Sequence, residues 1–208
     1  MKVLLINGSP KPDGCTFTAL SEVAGALNGE GVGTEILHIG KEAINGCNDC
    51  RHCASNGICV FKNDIASVAL EKAKESDGFV FGSPVYFAGI SGQLTSMLNR
   101  LFFSSREVFE NKPGAAVVSC RRAGSTAALD QLNKYLVISS MLLVGSQYWP
   151  MVHGNRPEEV RRDLEGMQVM RTLGRNMAWL LKCIQAGREA GISIPQPEET
   201  RYRTNFIQ

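Results

Sequence analysis

Four cysteines crowd into one short segment of the chain, as Cys47, Cys50, Cys53 and Cys59. Thiolates at such spacing can converge on one small inorganic centre, and iron–sulfur clusters use compact cysteine runs of this kind. Zinc sites more often use two CxxC pairs separated by a longer loop, so the spacing favours zinc less. Alternatively, the thiols are free or form a redox-active disulfide. The segment therefore predicts metal or redox chemistry and leaves these three interpretations open.

A second segment, residues 8–18, combines glycine and proline with hydroxyl side chains, between an apolar run and a helical pattern. Its hydroxyls, together with free backbone N–H groups at the start of the helix, can surround a phosphate group. The segment lacks the Gly-Lys-Ser/Thr ending of a Walker loop. The alternative is a strand-to-helix turn whose hydroxyls only cap the helix. The predicted phosphate-loop residues are Ser9, Lys11, Cys15, Thr16, Phe17 and Thr18.

These segments lie among short apolar runs that alternate with amphipathic stretches, which is typical of βαβ units and a parallel sheet. Such sheets bind ligands beyond the carboxyl ends of their strands, so we expect a site in the loops after strands one, three and four. The segment 146–156 is predicted to be irregular, and one helix is predicted from Pro157 to about Ala186. The predicted strands cover residues 3–6, 34–39, 78–81, 115–119 and 142–145.

The bulk composition is that of an ordinary globular protein. The 208 residues are 44% hydrophobic and 20% charged, with a net charge of +2. We expect one domain over residues 1–208, with a cysteine-rich loop at 46–60 and a polar tail at 188–208. Scattered basic residues argue against a nucleic-acid partner, and the lack of a long apolar run argues against a membrane. A start too short for a signal-peptide core predicts a cytoplasmic protein.

Three stretches resemble the flavodoxin-like NAD(P)H-dependent FMN reductase family. Residues 8–16 read GSPKPDGCT, similar to the family's GSPRxxGNT phosphate loop, and residues 83–87 (SPVYF) and 203–207 (RTNFI) also resemble it. The cysteine spacing is similar to that of the iron–sulfur flavoproteins, a branch of the same superfamily that binds one [4Fe–4S] cluster. The resemblance covers nearly the whole chain. It implies bound FMN and a doubly wound, five-stranded parallel sheet of order 2-1-3-4-5.

Two positions depart from the family's phosphate loop. Lys11 stands where arginine is common, and it keeps the positive charge. Cys15 stands where asparagine is common, so we expect Cys15 to contribute only its backbone N–H.

The resemblance also implies two loops around the isoalloxazine ring of FMN. In the first, a backbone stiffened by Pro84 would approach the polar ring edge while an aromatic side chain packs nearby. In the second, an arginine or a backbone N–H would stabilise the anionic reduced flavin and raise its potential. The alternative is that these residues cover the end of the sheet or lie in solvent. The predicted ring-loop residues are Ser83, Pro84, Val85, Tyr86, Phe87, Ser119, Arg121, Arg122 and Gly124.

The function that the resemblance implies is an FMN-dependent NAD(P)H oxidoreductase. NADH or NADPH would deliver hydride to flavin N5, and the electrons would pass to a small-molecule or protein acceptor; no catalytic side chain is expected. Self-association as a homodimer or homotetramer is expected from the same resemblance. One alternative is an iron–sulfur flavoprotein electron carrier with FMN and a [4Fe–4S] cluster. The other is a non-enzymatic FMN-binding redox sensor.

Overall fold

Parallel strands alternate with helices in the computed structural model, which describes residues 1–195, 199, 200, 202, 204 and 206. The strands are β1 (Lys2–Asn7), β2 (Gly33–His38), β3 (Gly78–Pro84), β4 (Pro113–Cys120), β5 (Leu142–Leu143) and β6 (Met151–His153). The helices are α1 (Cys15–Gly29), α2 (His52–Asn56), α3 (Ile65–Lys74), α4 (Gly92–Ser104), α5 (Ser125–Ile138), α6 (Pro157–Val160) and α7 (Leu164–Glu189), with a 3-10 turn at Arg106–Val108.

The strands form one parallel sheet in the order β2-β1-β3-β4-β5, and β6 also pairs with β4. This confirms the predicted order 2-1-3-4-5. The strand order reverses beside β1, because β2 lies on one side of it and β3 on the other. Ligand sites of doubly wound sheets lie at such a reversal, beyond the carboxyl ends of the strands. The loops that follow β1 and β3 meet at this point.

Two short strands share the fifth position of the sheet. β5 pairs with the beginning of β4, at Pro113 and Gly114, whereas β6 pairs with its end, at Val118–Cys120. The predicted strand 142–145 was therefore too long, and the prediction of an irregular 146–156 was wrong for β6. A strand of three residues is too short to show the alternation by which strands are recognised in a sequence.

Helices cover both faces of the sheet, and side chains of each strand alternate between the two. Leu4 and Ile6 of β1 belong to a buried apolar cluster with α3, α4 and α5. Val3 and Leu5 of the same strand belong to a second cluster with α1 and α7. Because both faces of β1 are covered, its apolar run is continuous, as expected of a central parallel strand.

The helix predicted from Pro157 to about Ala186 is two helices. α6 ends at Val160 and α7 begins at Leu164, because the Asp163 carboxylate caps α7 by accepting a hydrogen bond of 2.9 Å from the Gly166 N–H. α7 continues to Glu189, so the tail begins two residues later than predicted. Of the family-like ending 203–207, positions 203, 205 and 207 lie outside the described residues.

Candidate functional site

The phosphate loop, residues 8–14, joins the end of β1 to the start of α1 and is held by its own hydrogen bonds. The Asn7 side chain accepts from the Ser9 N–H at 3.1 Å and donates to the Pro12 carbonyl at 3.2 Å. The Ser9 hydroxyl oxygen accepts from the Lys11 N–H at 3.1 Å. Asn7 and Ser9 are both buried. The loop is therefore shaped before any ligand arrives.

α1 begins at the end of this loop with open donors. No side chain caps the helix at Gly14, and its first turn contains no acidic residue. Within the described part of the chain, the backbone N–H groups of Cys15, Thr16 and Phe17 donate to no other residue, and only the Cys15 N–H interacts with its own thiol. The N-terminus of a helix carries a partial positive charge, so these three groups form a suitable place for an anion.

The predicted phosphate-loop side chains divide into two groups. Ser9, Thr16 and Thr18 are buried, and the Thr18 hydroxyl donates to the Gly14 carbonyl at 3.2 Å. Lys11 is exposed. Phe17 is half-buried, as is Cys15, where burial raises the thiol pKa. The hydroxyls thus stabilise the loop and the helix start, whereas Lys11 remains free to approach a ligand.

The first ring loop, residues 83–90, leaves the sheet at the end of β3. Ser83 is buried, and its hydroxyl accepts from the Ser91 N–H at 3.0 Å and donates to the Pro84 carbonyl at 2.8 Å. Tyr86 and Gly89 exchange two backbone hydrogen bonds of 2.9 Å across a tight turn. The turn places Phe87 at φ 50°, and its side chain is fully exposed.

The second ring loop, residues 119–124, lies directly against the first. The Val85 N–H donates to the Ser119 carbonyl at 2.9 Å. Gly124 adopts φ +88°, and a Cβ there would lie 2.9 Å from the Cα of Ala88. Arg121 and Arg122 are exposed at the tip of this loop. The structure therefore brings the two predicted ring loops into contact, and their role toward a flavin stays a prediction.

Three further residues join these loops and were missed from the sequence. The Ser91 hydroxyl, which caps α4, donates to the Gly8 carbonyl at 2.6 Å. His38 Nε2 lies 2.8 Å from the Ser9 carbonyl oxygen, and Asn7 supports the phosphate loop as described above. Serine before a helix is a readable capping signal, and asparagine after a strand is a readable turn signal. No sequence signal connects His38 with a loop that precedes it by 29 positions.

The cysteine loop places its four thiols around one small cavity. Cys47 and Cys50 are exposed, and Cys53 and Cys59 are half-buried. All four line the same cavity. Among the described residues, no three His, Cys, Asp or Glu side chains are arranged to hold a metal ion. The four cysteines thus line one cavity, but their side chains are not arranged to hold a metal ion, and their role as ligands stays a prediction.

A buried ion pair closes the end of this loop. The Arg100 guanidinium bonds both carboxylate oxygens of Asp64, and its Nη2 donates to the Phe61 carbonyl at 2.9 Å. Burial alone would lower the pKa of Arg100, but Asp64 and the nearby Cys59 sulfur raise it. Partial burial alone would raise the pKa of Asp64, but Arg100 and Ser67 hold it below its usual range. Both groups are therefore charged at neutral pH.

Comparison with known proteins identifies the class to which this fold and site belong. The model of the NADPH-dependent FMN reductase family matches residues 1–156. The chain belongs to this family. An iron-sulfur flavoprotein of Methanocaldococcus jannaschii is 34% identical over 198 residues, which cover 89% of this chain and 100% of the relative. An FMN-dependent NADPH-azoreductase of Staphylococcus saprophyticus is 32% identical over 143 residues, which cover 68% and 71% of the two chains.

Solved structures show the same architecture. RosB, solved with 8-demethyl-8-formylriboflavin-5'-phosphate, has a TM-score of 0.68 and 16% identity over 100% of this chain and 92% of its own. An archaeal flavodoxin has a TM-score of 0.60 and 14% identity over 88% and 99% of the two chains. At such identities the likeness establishes the fold, which is flavodoxin-like.

The family supports an FMN-dependent oxidoreductase, in agreement with the resemblance seen in the sequence. Among the helices of the described residues, none has the length and apolarity needed to cross a membrane. The family also supports a nicotinamide cofactor as a partner. The acceptor, the oligomeric state and the cytoplasmic location stay predictions.

Proposed function

We propose that the chain binds FMN with its phosphate at the start of α1 and its ring against the two ring loops, and that it oxidises NADH or NADPH and reduces a second acceptor. The observation that carries this proposal is the set of open N–H groups at Cys15, Thr16 and Phe17, beside a loop already shaped by Asn7 and Ser9. When bound, FMN supplies the hydride and electron chemistry.

The protein's own residues hold and shield the cofactor. The N–H groups of α1 and the Lys11 ammonium would neutralise the phosphate, because an anion at a helix N-terminus is stabilised by the helix dipole. The backbone of residues 84–86 and the side chain of Phe87 would contact the ring. The Phe87 side chain is fully exposed on this loop, so it is available to pack against the ring. Arg121 or Arg122 would place positive charge beside the reduced flavin.

Cys15 offers a sharp test, because it is the first residue of α1 and its side chain is half-buried beside the open N–H groups. The Cys15 thiol donates to the Gly154 carbonyl at 3.6 Å, so Cys15→Asp adds a negative charge within the first turn of α1, where it would repel the phosphate while stabilising the helix. Cys15→Asn is the matched control of nearly equal shape, and it restores the residue common in the family. We expect Cys15→Asp to weaken FMN binding more than tenfold, and Cys15→Asn to bind FMN at least as well as the natural chain.

The measurement is a fluorescence titration with FMN and with riboflavin, followed by NADH and NADPH oxidation assays with ferricyanide as acceptor. Riboflavin lacks the phosphate, so its binding should change little in Cys15→Asp. Equal FMN affinity in the two variants would refute the phosphate site. A chain that binds FMN but oxidises neither nicotinamide would refute the reductase activity and leave the binding site intact.

A second function, electron carriage by an iron–sulfur flavoprotein, is favoured by the cysteine cavity. Four cysteine thiolates are a ligand set that suits an iron–sulfur cluster, and all four residues line one cavity. Several relatives bear the name iron-sulfur flavoprotein. Cys47, Cys50, Cys53 and Cys59 would hold the cluster, which would supply one-electron transfer.

Iron and sulfide analysis after anaerobic reconstitution tests this second function. We expect about four irons per chain, as in [4Fe–4S] clusters. Cys53→Ala should lose the cluster, whereas Cys183→Ala, which removes an exposed cysteine on α7, should keep it. Equal iron content in these two variants, or no iron in the natural chain, would refute cluster binding while the FMN site stands.

A further inference from the structure

Arg100 has one donor that the described residues do not use. The side chain lies on α4, and the whole residue is only 3% exposed. Nη1 and Nη2 are bonded to Asp64 and to the carbonyls of Asn45 and Phe61. Nε is buried and makes no geometrically defined hydrogen bond in the described part of the chain, although the Cys59 sulfur lies close enough to the guanidinium to raise its pKa. A buried donor without an acceptor destabilises the folded chain, so native proteins rarely keep one without a reason.

The unused donor belongs to a residue that lines the cysteine cavity. Arg100 shares this cavity with Cys47, Cys50, Cys53 and Cys59. The guanidinium is planar and permanently charged, so its Nε–H keeps a fixed direction while the two terminal nitrogens are engaged. Sulfur carrying negative charge accepts hydrogen bonds, and no other charged side chain lining this cavity is buried.

We propose that Arg100 is a positioning residue for the group held by the four cysteines, and that its Nε–H donates to a sulfur of that group and raises its reduction potential. The inference rests on the second function proposed above. One-electron reduction adds negative charge to a thiolate-held cluster, and a hydrogen bond from a cation stabilises the added charge. Net charge and hydrogen bonds to sulfur are among the factors that set cluster potentials.

The negative charge of Asp64 would lower the reduction potential that the Arg100 charge raises. A substitution of Asp64 therefore supplies the matched control. The Asp64 carboxylate binds the far side of the same guanidinium and anchors the same loop. Asp64→Asn removes a negative charge, whereas Arg100→Gln removes a positive charge, and each variant breaks the same ion pair. A purely structural role predicts that both substitutions shift the potential in the same direction. The proposed electrostatic role predicts opposite directions.

The test is an anaerobic potentiometric titration of the reconstituted full chain, with electron paramagnetic resonance of the reduced cluster as the readout. We expect the cluster potential to fall in Arg100→Gln, to rise in Asp64→Asn, and to fall less in Arg100→Lys, which keeps the charge but loses Nε. If Arg100→Gln takes up no cluster, the test is the direction in which the cluster potential shifts in Arg100→Lys and in Asp64→Asn.

Three results would overturn the inference. They are an unchanged potential in the Arg100 variants, shifts of the same sign in the Arg100 and Asp64 variants, and a natural chain that binds no iron. The last result would also remove the second function. FMN binding, measured separately at α1, would remain unaffected by all three.

Discussion

The hydroxyl oxygens of Thr16 and Ser119 lie 2.9 Å apart in a buried hydrogen bond that joins the first turn of α1 to the end of β4. The bond links two segments that are 103 positions apart in the chain. One segment carries the proposed phosphate site, and the other begins the second ring loop. The Thr16–Ser119 hydrogen bond therefore holds the start of α1, the proposed phosphate site, next to the second ring loop.

Thr16→Ala should destabilise the protein and weaken FMN binding together. The substitution leaves the buried Ser119 hydroxyl without its partner, which costs about 1–3 kcal/mol in the free energy of unfolding. Thr34→Ala, which removes a hydroxyl bonded to Asn28 at the surface, should cost about 0.5 kcal/mol or less. Urea unfolding and FMN titration measure both effects. A Thr16→Ala chain that matches the Thr34→Ala chain in both measurements would contradict the importance of this bond.

Gly124→Ala should disturb the contact between the two ring loops. The new Cβ would meet Ala88 at 2.9 Å, and alanine also disfavours φ +88°. Gly31→Ala separates these causes, because Gly31 has φ +79° with nothing within 4 Å. We expect the free energy of unfolding of both variants to fall by about 1 kcal/mol, because alanine disfavours the positive φ. Only Gly124→Ala should also bind FMN several-fold more weakly, and equal FMN affinities would argue against a ring site here.

Asp64 should make stability depend on pH below neutrality. Its carboxyl pKa is lowered in the folded chain, so its contribution is fully present above the unfolded pKa of about 3.9 and is lost as the pH falls through the folded value. At pH 7, Asp64→Asn should lower the free energy of unfolding by about 3 kcal/mol, because the substitution leaves Arg100 as an unpaired buried charge.

The measurement is urea unfolding of the natural chain and the Asp64→Asn variant from pH 7 to pH 3. The difference in the free energy of unfolding between the natural chain and Asp64→Asn should shrink as the pH falls below about 4. Asp130→Asn, at an exposed position on α5, serves as the control and should show little difference at any pH. A difference that stays constant down to pH 3 would contradict the role of the ion pair.

Arg121→Ala should lower the two-electron potential of bound FMN. The arginine lies exposed at the tip of the second ring loop, where its charge would favour the anionic reduced flavin. A tenfold loss of preference for the reduced flavin corresponds to about 30 mV. Arg175→Ala removes an equal charge from an exposed position on α7 and should leave the potential unchanged. Identical potentials in the two variants would show that Arg121 does not act on the flavin.

The repeating pattern of the chain made the fold predictable from its sequence. Apolar runs between amphipathic stretches placed the first four strands within a few residues of their observed bounds. The division of the fifth strand was not predictable, because β5 and β6 are too short to have a period. The cap at Asp163 was missed because the apolar spacing continues across it.

The site was predictable only where its residues are neighbours in the chain. Ser9 and Thr16 stand in one recognisable loop, so the sequence alone indicated them. The contacts of His38 with Ser9 and of Arg100 with the cysteine cavity join distant segments, and side-chain packing alone decides them. A sequence pattern carries no direct record of such long-range contacts.

A crystal structure of the protein grown with saturating FMN tests the central claim most directly. We predict density for the phosphate against the N–H groups of Cys15, Thr16 and Phe17, and density for the ring against residues 84–87 and 119–124. Density for FMN elsewhere, or a start of α1 that stays without phosphate at saturating FMN, would contradict the account.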